Sequence, residues 1–511
     1  MYKYLIRGLL LLLLLWLMPV QSQTINLIEA IKVKNGHRAE ALFYYQNNWR
    51  IFRESALARG YIDSYEFVEA SSQQNAEFDF LLITRFANQD QQDKSEQRFD
   101  KIIAQRTGLM LLNEIEPKDF RQSVFVKMAK GNNSAGTHLG AVVKEQLIDG
   151  LDNPWSMAFI NESEVLVSEK DGNLLKLNLL TKQKTIIQNF PNDLAKAVAI
   201  DVSKYEKGIY PASMNGILSS YNMGMFDVVL DPNFATNQLL YVSYVSKKAD
   251  TYTTKVIRAT LNNNQLADVK TLLVADPYTP GGYHFGGGLT FGQDGKLYIT
   301  IGERLFNEMN QPAMPIAQNL LDKRGKIHRI NPDGSIPTDN PIFANRQSSI
   351  YAIGIRAAQG ITVNPDNGDI WFSEHGTHQG DELNLLKAGA NYGWPIKTTG
   401  KYRFKEYQPP ALSERTFSRP KWFWKHTVAP TGLTFYKGDE FPQWQGDLFI
   451  PGLSGGSLWR IRIEDEKVKA TEELFVDDRV RSRKVVQSPM GKLYLLTDEN
   501  NGKIMRIRRA K

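Results

Sequence analysis

The stretch Asn367–Gly376, NGDIWFSEHG, contains the local pattern that decides the fold of most of this chain. A turn with Asn and Gly leads into a short strand in which apolar residues alternate. Five further stretches repeat it: SEVLVSEKDGNLLKL from Ser163, NQLLYVSYV from Asn237, DGKLYITIGE from Asp294, QGDLFIPGL from Gln445 and MGKLYLLTDENNGKIMRI from Met490. Six such units over about 370 residues predict an all-β six-bladed β-propeller at 141–511, with an array of β-sandwiches as the alternative.

The first part of the chain follows a different pattern. Lys3 and Arg7 precede the apolar run Leu9–Met18, which is too short to span a bilayer, and small residues follow it. This predicts a signal peptide at 1–22, cleaved after Ser22, and a periplasmic or secreted protein without a membrane span.

Residues 24–130 alternate between strand and helix patterns. Strands are predicted over Ile25–Val33, Tyr61–Ala70, Phe78–Phe86 and Phe120–Met128, and helices over His37–Arg59 and Gln91–Arg106. The order βαββαβ predicts a small α+β ferredoxin-like domain, similar in pattern to the dimeric α+β barrels. We expect this domain to self-associate as a homodimer, and we assign the polar, glycine-rich residues 131–140 to a linker.

The composition limits which partners the chain can bind and which covalent bonds can stabilise it. The chain has no cysteine, so it contains neither disulfides nor a lipid-bearing Cys after the signal. Its 62 Lys and Arg are interspersed with 55 Asp and Glu for a net charge of +7, and no basic stripe indicates nucleic-acid binding.

One segment combines residues suited to a ligand site. Ser373–Pro395, SEHGTHQGDELNLLKAGANYGWP, follows a predicted strand and brings histidines, acids and glycines into one irregular loop. His284 stands between glycines in GGYHFGGG, and an imidazole that titrates near neutral pH suits proton abstraction from a hydroxyl group. Arg481 and Arg483, two apart on a predicted strand, point to one face and can grip a polyanion.

The motifs occur in an order that resembles a known family. GGYHFGGGLTFGQDGKLYITIGER (Gly281–Arg304), GKIHRINPDGSIPTDNPIF (Gly325–Phe343), IGIRAAQGITVNPDNGDIWF (Ile353–Phe372), the cassette above, APTGLTFYKGDEFPQWQGDLFI (Ala429–Ile450) and RSRKVVQSPMGKLYLLTDE (Arg481–Glu499) resemble the glucose/sorbosone dehydrogenases. They are most similar to the periplasmic aldose sugar dehydrogenases that use pyrroloquinoline quinone (PQQ) and calcium. The resemblance implies a six-bladed propeller that oxidises the C1 hydroxyl of a sugar to a lactone and passes electrons to an unidentified acceptor.

The resemblance also implies roles for individual residues. His284 would be the catalytic base, Glu303 the acid that orients it, and Arg356 the cation at the quinone oxygens. Cofactor contacts would come from Gln359, Arg481 and Arg483, with Lys437 as a further cation. The carbonyls of Gly376 and Thr377 would hold the calcium that bridges PQQ, and Glu382 and Tyr392 a second, structural calcium. His375 and His378 leave zinc open as an alternative.

Four positions depart from the family pattern and keep other functions open. Relatives carry arginine where this chain has Gly288, asparagine where it has Ala357, and glutamine where it has Asn222. Some members carry an acid where it has Tyr283. Each change removes a polar contact that a cofactor could use, and one or two lost hydrogen bonds at ~1 kcal/mol each weaken binding without abolishing it. We therefore expect an enzyme, with a non-catalytic binding module and a calcium-dependent lactone hydrolase as alternatives.

Overall fold

The computed structural model describes residues 25–70, 77–106, 108–130, 142–196, 200–201, 217–218, 222–304, 314–402, 407–412, 415–476 and 480–510. The predicted signal peptide at 1–22 and linker at 131–140 lie outside these ranges. The chain divides into two compact units, Met1–Ala141 and Val142–Lys511. Within the described ranges, no helix has both the length and the apolar character that crossing a membrane requires.

The first unit is an antiparallel sheet with helices. Its four strands lie in the order β2-β3-β1-β4. In chain order its elements are β1 (Ile25–Val33), α1 (Arg38–Tyr44), a π-helical turn (Tyr45–Trp49), α2 (Arg50–Ala58), β2 (Ser64–Glu69), β3 (Phe80–Phe86), α3 (Gln89–Asp93), α4 (Ser95–Ala104), α5 (Pro117–Phe120) and β4 (Arg121–Lys130).

The helices of this unit differ in detail from the sequence prediction. The first predicted helix forms, but a π-helical turn interrupts it where the Asn48 side chain bonds both the carbonyl and the N–H of Met110. The second predicted helix is instead two helices. The first of them, α3, starts directly after Asn88, whose side chain accepts the N–H of Gln91 at 2.9 Å, and it ends before Lys94. The single helix predicted over Gln91–Arg106 is wrong in this respect.

The sheet of the first unit has one face against the helices and one without them. Along β3 the residues Phe80, Leu82, Thr84 and Phe86 are buried, and Leu81 and Ile83 between them are only half-buried. Alternation along a strand puts these two sets on opposite faces. The face with Leu81, Ile83 and Arg85 is therefore incompletely covered within this unit, and it is apolar at the first two of these positions.

The second unit contains six four-stranded antiparallel sheets among its described residues. Their strands, one sheet after another, are β6 (Pro154–Phe159), β7 (Glu164–Glu169), β8 (Leu174–Asn178) and β9 (Lys184–Ile186); β12 (Met225–Leu230), β13 (Leu239–Lys248), β14 (Thr251–Asn262) and β15 (Gln265–Val274); β16 (Gly286–Phe291), β17 (Leu297–Ile301), β18 (Lys326–Ile330) and β21 (Ile350–Ile353); β22 (Ala358–Val363), β23 (Ile370–Glu374), β24 (Asp381–Leu385) and β25 (Trp422–Trp424); β26 (Thr434–Phe435), β27 (Leu448–Pro451), β28 (Leu458–Glu464) and β29 (Lys467–Leu474); and β30 (Ser482–Gln487), β31 (Leu493–Thr497), β32 (Gly502–Arg509) and β5 (Val142–Leu151).

Smaller elements lie between these sheets. They are the two-stranded pairs β10 (Ile200–Asp201) with β11 (Ile217–Leu218) and β19 (Ile342–Phe343) with β20 (Arg346–Gln347), the short helix α6 (Phe234–Asn237), and 3₁₀ turns at Ile316–Gln318 and Pro442–Trp444.

The six repeated sequence units correspond to the six sheets. Each unit contains the second strand of a different sheet, namely β7, β13, β17, β23, β27 and β31. The first strands contact one another in a closed cycle, β6 to β12, β16, β22, β26, β30 and back to β6. This arrangement is consistent with a propeller and differs from a linear array of sandwiches.

The ring closes by pairing the two ends of the unit. Strand β5 lies antiparallel to β32, with Leu151 opposite Gly502, so the first strand of the unit completes its last sheet. Apolar side chains fill the spaces between neighbouring sheets, as Leu166 of β7 does against Leu240 and Val242 of β13. The closure holds residues from the two ends of the unit next to each other.

One end of the ring gathers the candidate site. In an antiparallel hairpin the residue before the first strand lies beside the residue after the second. His284, Arg356 and Arg481 come just before β16, β22 and β30, and Glu303 and Asp498 come just after β17 and β31. All five therefore lie at the same end of their sheets, which we call the first-strand end.

Candidate active site

His284 and Glu303 form a close pair at the first-strand end. The imidazole Nδ1 lies 2.6 Å from Oε1 of Glu303, which is buried. The backbone of His284 is left-handed with φ of 51°, and its carbonyl accepts the N–H of Arg304 at 3.2 Å. A Cβ at Gly302 would lie 2.1 Å from that carbonyl, so only glycine permits this approach. The bond to Nδ1 leaves Nε2 as the nitrogen that can take up a proton.

Arg356 connects this pair to the Gly-rich cassette. Its main-chain carbonyl accepts the N–H of Glu303 at 2.9 Å. Its Nη1 donates to the carbonyl of Gly376 at 2.6 Å and to that of His375 at 3.2 Å, and its guanidinium lies 5.1 Å from the Trp394 ring centroid. The side chain is buried and thus held as a fixed positive charge.

A second group of cations surrounds Asp498. Its Oδ2 accepts from Arg481 Nε at 2.7 Å and from Arg483 Nη2 at 2.8 Å, so the two arginines converge as their spacing predicts. Its Oδ1 lies 3.0 Å from Lys170 Nζ. Arg483 Nη1 also donates to Oε1 of Gln359 at 2.6 Å, which links this group to β22.

Sequence reasoning missed Lys170 and Asp498. A signal for both was present, because they follow the second strands of the repeats SEVLVSEKDG and MGKLYLLTDE, as Glu303 does in DGKLYITIGE. Letter-by-letter alignment of DGKLYITIGE with MGKLYLLTDE, however, places Glu303 opposite Glu499, one residue beyond Asp498.

Asp381 holds the loop that contains Gly376 and Thr377. Its Oδ1 accepts the Gly376 N–H at 2.8 Å, and its Oδ2 accepts the N–H groups of Val428 and Ala429, each at 2.7 Å. The carboxylate is buried and bonds two segments at once. It thereby orients the carbonyls predicted to bind calcium.

The two histidines of the cassette differ in environment. Burial, with the charges of Arg483 and Arg356 adding to it, lowers the pKa of His375 to about 4, although Asp381 opposes the shift. His378 is exposed. Over the described ranges, no three His, Cys, Asp or Glu side chains are grouped as a metal would need, and the zinc hypothesis gains no support.

Glu382 and Tyr392, predicted at a second calcium site, have separate partners. Glu382 lies opposite Glu374 on neighbouring strands, and it accepts from Thr399 Oγ1 at 2.8 Å. Burial, followed by the charge of Glu382, raises the pKa of Glu374 to about 8. The Tyr392 hydroxyl donates to the Leu385 carbonyl at 2.6 Å, and the Tyr392 N–H bonds the Ile353 carbonyl at 2.9 Å.

Lys437 does not join the other predicted residues. It follows β26, and its N–H bonds the side chain of Gln487 at the far end of β30, opposite the first-strand end. Its amine forms an ion pair with the exposed Asp366. The prediction of Lys437 as a cofactor contact is therefore corrected, because the motif does not reveal at which end of its sheet a turn lies.

Comparison with known proteins identifies the family of the second unit. The family model for glucose/sorbosone dehydrogenase matches residues 151–506. The chain belongs to the glucose/sorbosone dehydrogenase family. The resemblance seen in the sequence motifs is confirmed by this match, which covers the ring of sheets.

Two of the named relatives of this glucose/sorbosone dehydrogenase family member are sugar dehydrogenases, and others are Hedgehog-interacting proteins. The chain is similar to the aldose sugar dehydrogenase YliI of Escherichia coli K12, at 31% identity over 71% of this chain and 92% of that protein. It is similar to the quinoprotein glucose dehydrogenase B of Acinetobacter calcoaceticus, at 28% identity over 54% of this chain and 73% of that protein. The solved apo form of the soluble E. coli aldose sugar dehydrogenase covers 72% of this chain and 100% of its own, with a TM-score of 0.62 and 31% identity.

The four departures from the family pattern have structural surroundings in this family member. A Cβ on Gly288 would lie 3.1 Å from the Gln359 carbonyl, so glycine suits the packing of β16 on β22. Ala357 is buried, and its N–H bonds Glu374 at 3.3 Å. Asn222 donates its N–H to Gly282, and the Tyr283 carbonyl accepts from Arg304. At the last three positions the bond described is made by the main chain, so it does not replace a polar side chain of the family pattern.

Proposed function

We propose that this chain is a PQQ- and calcium-dependent dehydrogenase that oxidises the C1 hydroxyl of an aldose sugar to a lactone. The observation that carries the proposal is the His284–Glu303 pair, at 2.6 Å, bonded through the main chain to Arg356. A base for the hydroxyl proton, a carboxylate that orients this base and a fixed cation are groups suited to an oxidation in which the proton leaves the hydroxyl oxygen and the hydride leaves C1.

The residues of the chain divide the chemistry between them. His284 takes the proton of the C1 hydroxyl at Nε2, because Glu303 occupies Nδ1. The Glu303 carboxylate keeps the ring in place and stabilises the imidazolium that forms. Arg356 provides positive charge next to the Gly376 loop. PQQ, when bound, would supply the two-electron acceptor for the hydride that leaves C1.

The side chains present fit an anionic cofactor. Arg481, Arg483 and Lys170 share the single carboxylate of Asp498, which leaves positive charge for cofactor carboxylates. The amide of Gln359 lies against Arg483. For calcium, the carbonyls of Gly376 and Thr377 are hard oxygen ligands, although the Gly376 oxygen already accepts from Arg356 and would have to offer its second lone pair. The remaining ligands would come from cofactor and water because calcium takes 6–8 oxygens.

A second, structural calcium at Glu382 and Tyr392 is part of the proposal. Its support is electrostatic. Glu374 and Glu382 lie opposite each other, and burial raises the pKa of both carboxyl groups. A cation beside them would relieve that cost.

The proposal extends to architecture and location. The six repeats and the closed cycle of first strands support a six-bladed propeller at 141–511. The strand order β2-β3-β1-β4 supports a ferredoxin-like unit at 24–130. The apolar segment at 1–22 supports a periplasmic or secreted enzyme, whose electrons leave to an acceptor still to be identified.

The test is cofactor-dependent stabilisation of purified residues 23–511. Melting curves are recorded with PQQ plus calcium, with PQQ plus chelator and with calcium alone, followed by dye reduction with a panel of aldoses. We expect an upward shift with PQQ plus calcium, equivalent to ~2.7 kcal/mol at a hundredfold excess over the dissociation constant, and sugar-dependent dye reduction.

Other outcomes select the alternatives. No shift and no spectral change would mean that Gly288, Ala357 and Asn222 have removed cofactor binding, which leaves a non-catalytic module. Hydrolysis of a lactone without any redox dye would indicate a calcium-dependent lactonase.

A further inference from the structure

Three buried or half-buried cations share one carboxylate at the first-strand end. Lys170 Nζ lies 3.0 Å from Asp498 Oδ1, and their side chains are 9% and 3% exposed. Arg483, 2% exposed, and the half-exposed Arg481 both bond Oδ2. The group thus contains three positive charges and one negative charge.

In the part of the chain that the structure describes, the two acids that flank Lys170 in sequence have other partners. Glu169, next to Lys170 in the chain, accepts from the Asp152 N–H at 2.8 Å and from the Asn173 amide at 3.1 Å. Asp171, on the other side, is hydrogen-bonded to Asp152, and burial together with that bond raises its pKa. Both acids are therefore engaged away from the Lys170 amine.

The protonation states agree with an excess of positive charge. Burial, and next the charge of Arg483, lowers the pKa of Lys170 to about 8. Burial alone would raise the pKa of Asp498, but Arg483, Lys170 and Arg481 hold it well below its usual range. A buried charge without a counter-charge costs free energy, so an anion with more than one negative charge would stabilise this group of cations.

The cation group adjoins the proposed reaction centre. Arg483 donates to Gln359, three residues after Arg356. Arg483 and Arg356 both act on the pKa of His375. A ligand that contacts Arg483 therefore lies near the groups assigned to catalysis.

We propose that Lys170 is a binding residue of this site, and that with Arg481 and Arg483 it receives a ligand that carries at least two carboxylates. The proposal rests on the proposed function in taking PQQ, a tricarboxylate, as that ligand. Lys170 then decides the affinity for polycarboxylates, whereas His284 and Glu303 decide the chemistry.

The test compares Lys170→Gln and Lys170→Arg with Lys437→Gln. Lys437 is the matched control because it lies at the opposite end of its sheet, paired with an exposed aspartate. Two probes are titrated into residues 23–511, namely PQQ with calcium and the redox-inactive benzene-1,3,5-tricarboxylate. Dissociation constants come from absorbance or fluorescence and from the shift in melting temperature.

We expect Lys170→Gln to weaken both probes on the order of 10- to 100-fold, as loss of a charge-assisted hydrogen bond does. Lys170→Arg should stay within a few-fold of the unmodified chain, and Lys437→Gln should equal it. If Lys170→Gln does not fold, Lys170→Met, which keeps the apolar stem, takes its place.

The outcomes separate this inference from the proposed function. If Lys170→Gln binds both probes as tightly as the unmodified chain does, the role of Lys170 is overturned. It is also overturned if the unmodified chain binds neither polycarboxylate. Lys170-dependent binding of the benzenetricarboxylate in a chain that never oxidises sugar supports the role of Lys170, while the dehydrogenase proposal fails.

Discussion

The main-chain carbonyl of Arg356 accepts the main-chain N–H of Glu303 at 2.9 Å. This bond joins two neighbouring sheets. It fixes the position of Glu303, which bonds His284, relative to Arg356, which contacts the Gly376 carbonyl. Because it involves only main-chain atoms, substitutions of the three side chains can test their chemistry without removing the connection between them.

The first prediction concerns the base. His284→Gln should lower dye-linked sugar oxidation by ~10²-fold or more, because the amide cannot take up the hydroxyl proton, while PQQ binding persists. The measurements are kcat with dye and an absorbance titration with PQQ. His37→Gln, in the first unit, is the control. Near-full turnover of the His284 variant would remove this residue from the mechanism.

The second prediction concerns the acid. Glu303→Gln keeps a hydrogen-bond acceptor at Nδ1 but no charge to stabilise the imidazolium, so kcat should fall on the order of 10²-fold at unchanged PQQ affinity. Glu303→Asp, which keeps the charge, should retain more activity than the glutamine variant. Equal loss in both variants would show that position, not charge, is what matters.

The third prediction concerns the carboxylate that orients the calcium loop. Asp381 accepts three main-chain N–H groups, and Asn at this position has only one oxygen to offer. Asp381→Asn should lower the free energy of unfolding by about 2–4 kcal/mol and weaken calcium-dependent PQQ uptake. Urea denaturation and calcium titration measure the two effects. Asp366→Asn, at an exposed turn, is the control, and equal stability of both variants would contradict the assignment.

The fourth prediction concerns pH and stability. Lys326 is fully buried, its amine donates to the carbonyls of Ile316 and Arg324, and burial lowers its pKa from 10.5 to about 7. The folded chain thus binds fewer protons than the unfolded chain between these pH values. Stability from this group should rise as pH increases from about 7 to about 10.5, by a few kcal/mol.

The measurement is the slope of unfolding free energy against pH. Lys326→Met should reduce the rise between pH 7 and 10 whatever its absolute stability, because it removes one titrating amine, and the part contributed by Lys170, whose pKa burial also lowers to about 8, should remain. Lys323→Met, a nearby exposed lysine, should keep it. The same slope in Lys326→Met would refute the assignment.

The fifth prediction concerns association of the first unit. The half-buried Leu81 and Ile83 lie on the face without helices, and Val124, Val126 and Met128 are exposed on edge strand β4. We expect residues 23–511 to self-associate, face to face or edge to edge. Sedimentation should show dimers. Ile83→Lys should dissociate them if the sheet faces associate, and Val126→Lys should dissociate them if the edge strands associate. A strict monomer at tens of micromolar would exclude both.

The amino-acid sequence by itself determined the second strand of each sheet in the second unit and the pairing of the proposed base with its acid. Apolar alternation and Asn/Gly turns act over a few residues, so each repeat marks its own second strand. His284 and Glu303 are 19 residues apart in one hairpin, and local pairing is enough to join them. The motifs also determined the family, because their order does not depend on folding.

Only the tertiary structure decided which distant charges meet. Lys170 and Asp498 are far apart in sequence, and they meet because β5 pairs with β32 and closes the ring. The bond from the Lys437 N–H to Gln487 shows that Lys437 lies at the opposite end of its sheet, although its motif stands beside those of the site. Periodicity records which face of a strand a side chain occupies, whereas the end at which a turn lies, and its neighbours across the ring, depend on how the six sheets are arranged in space.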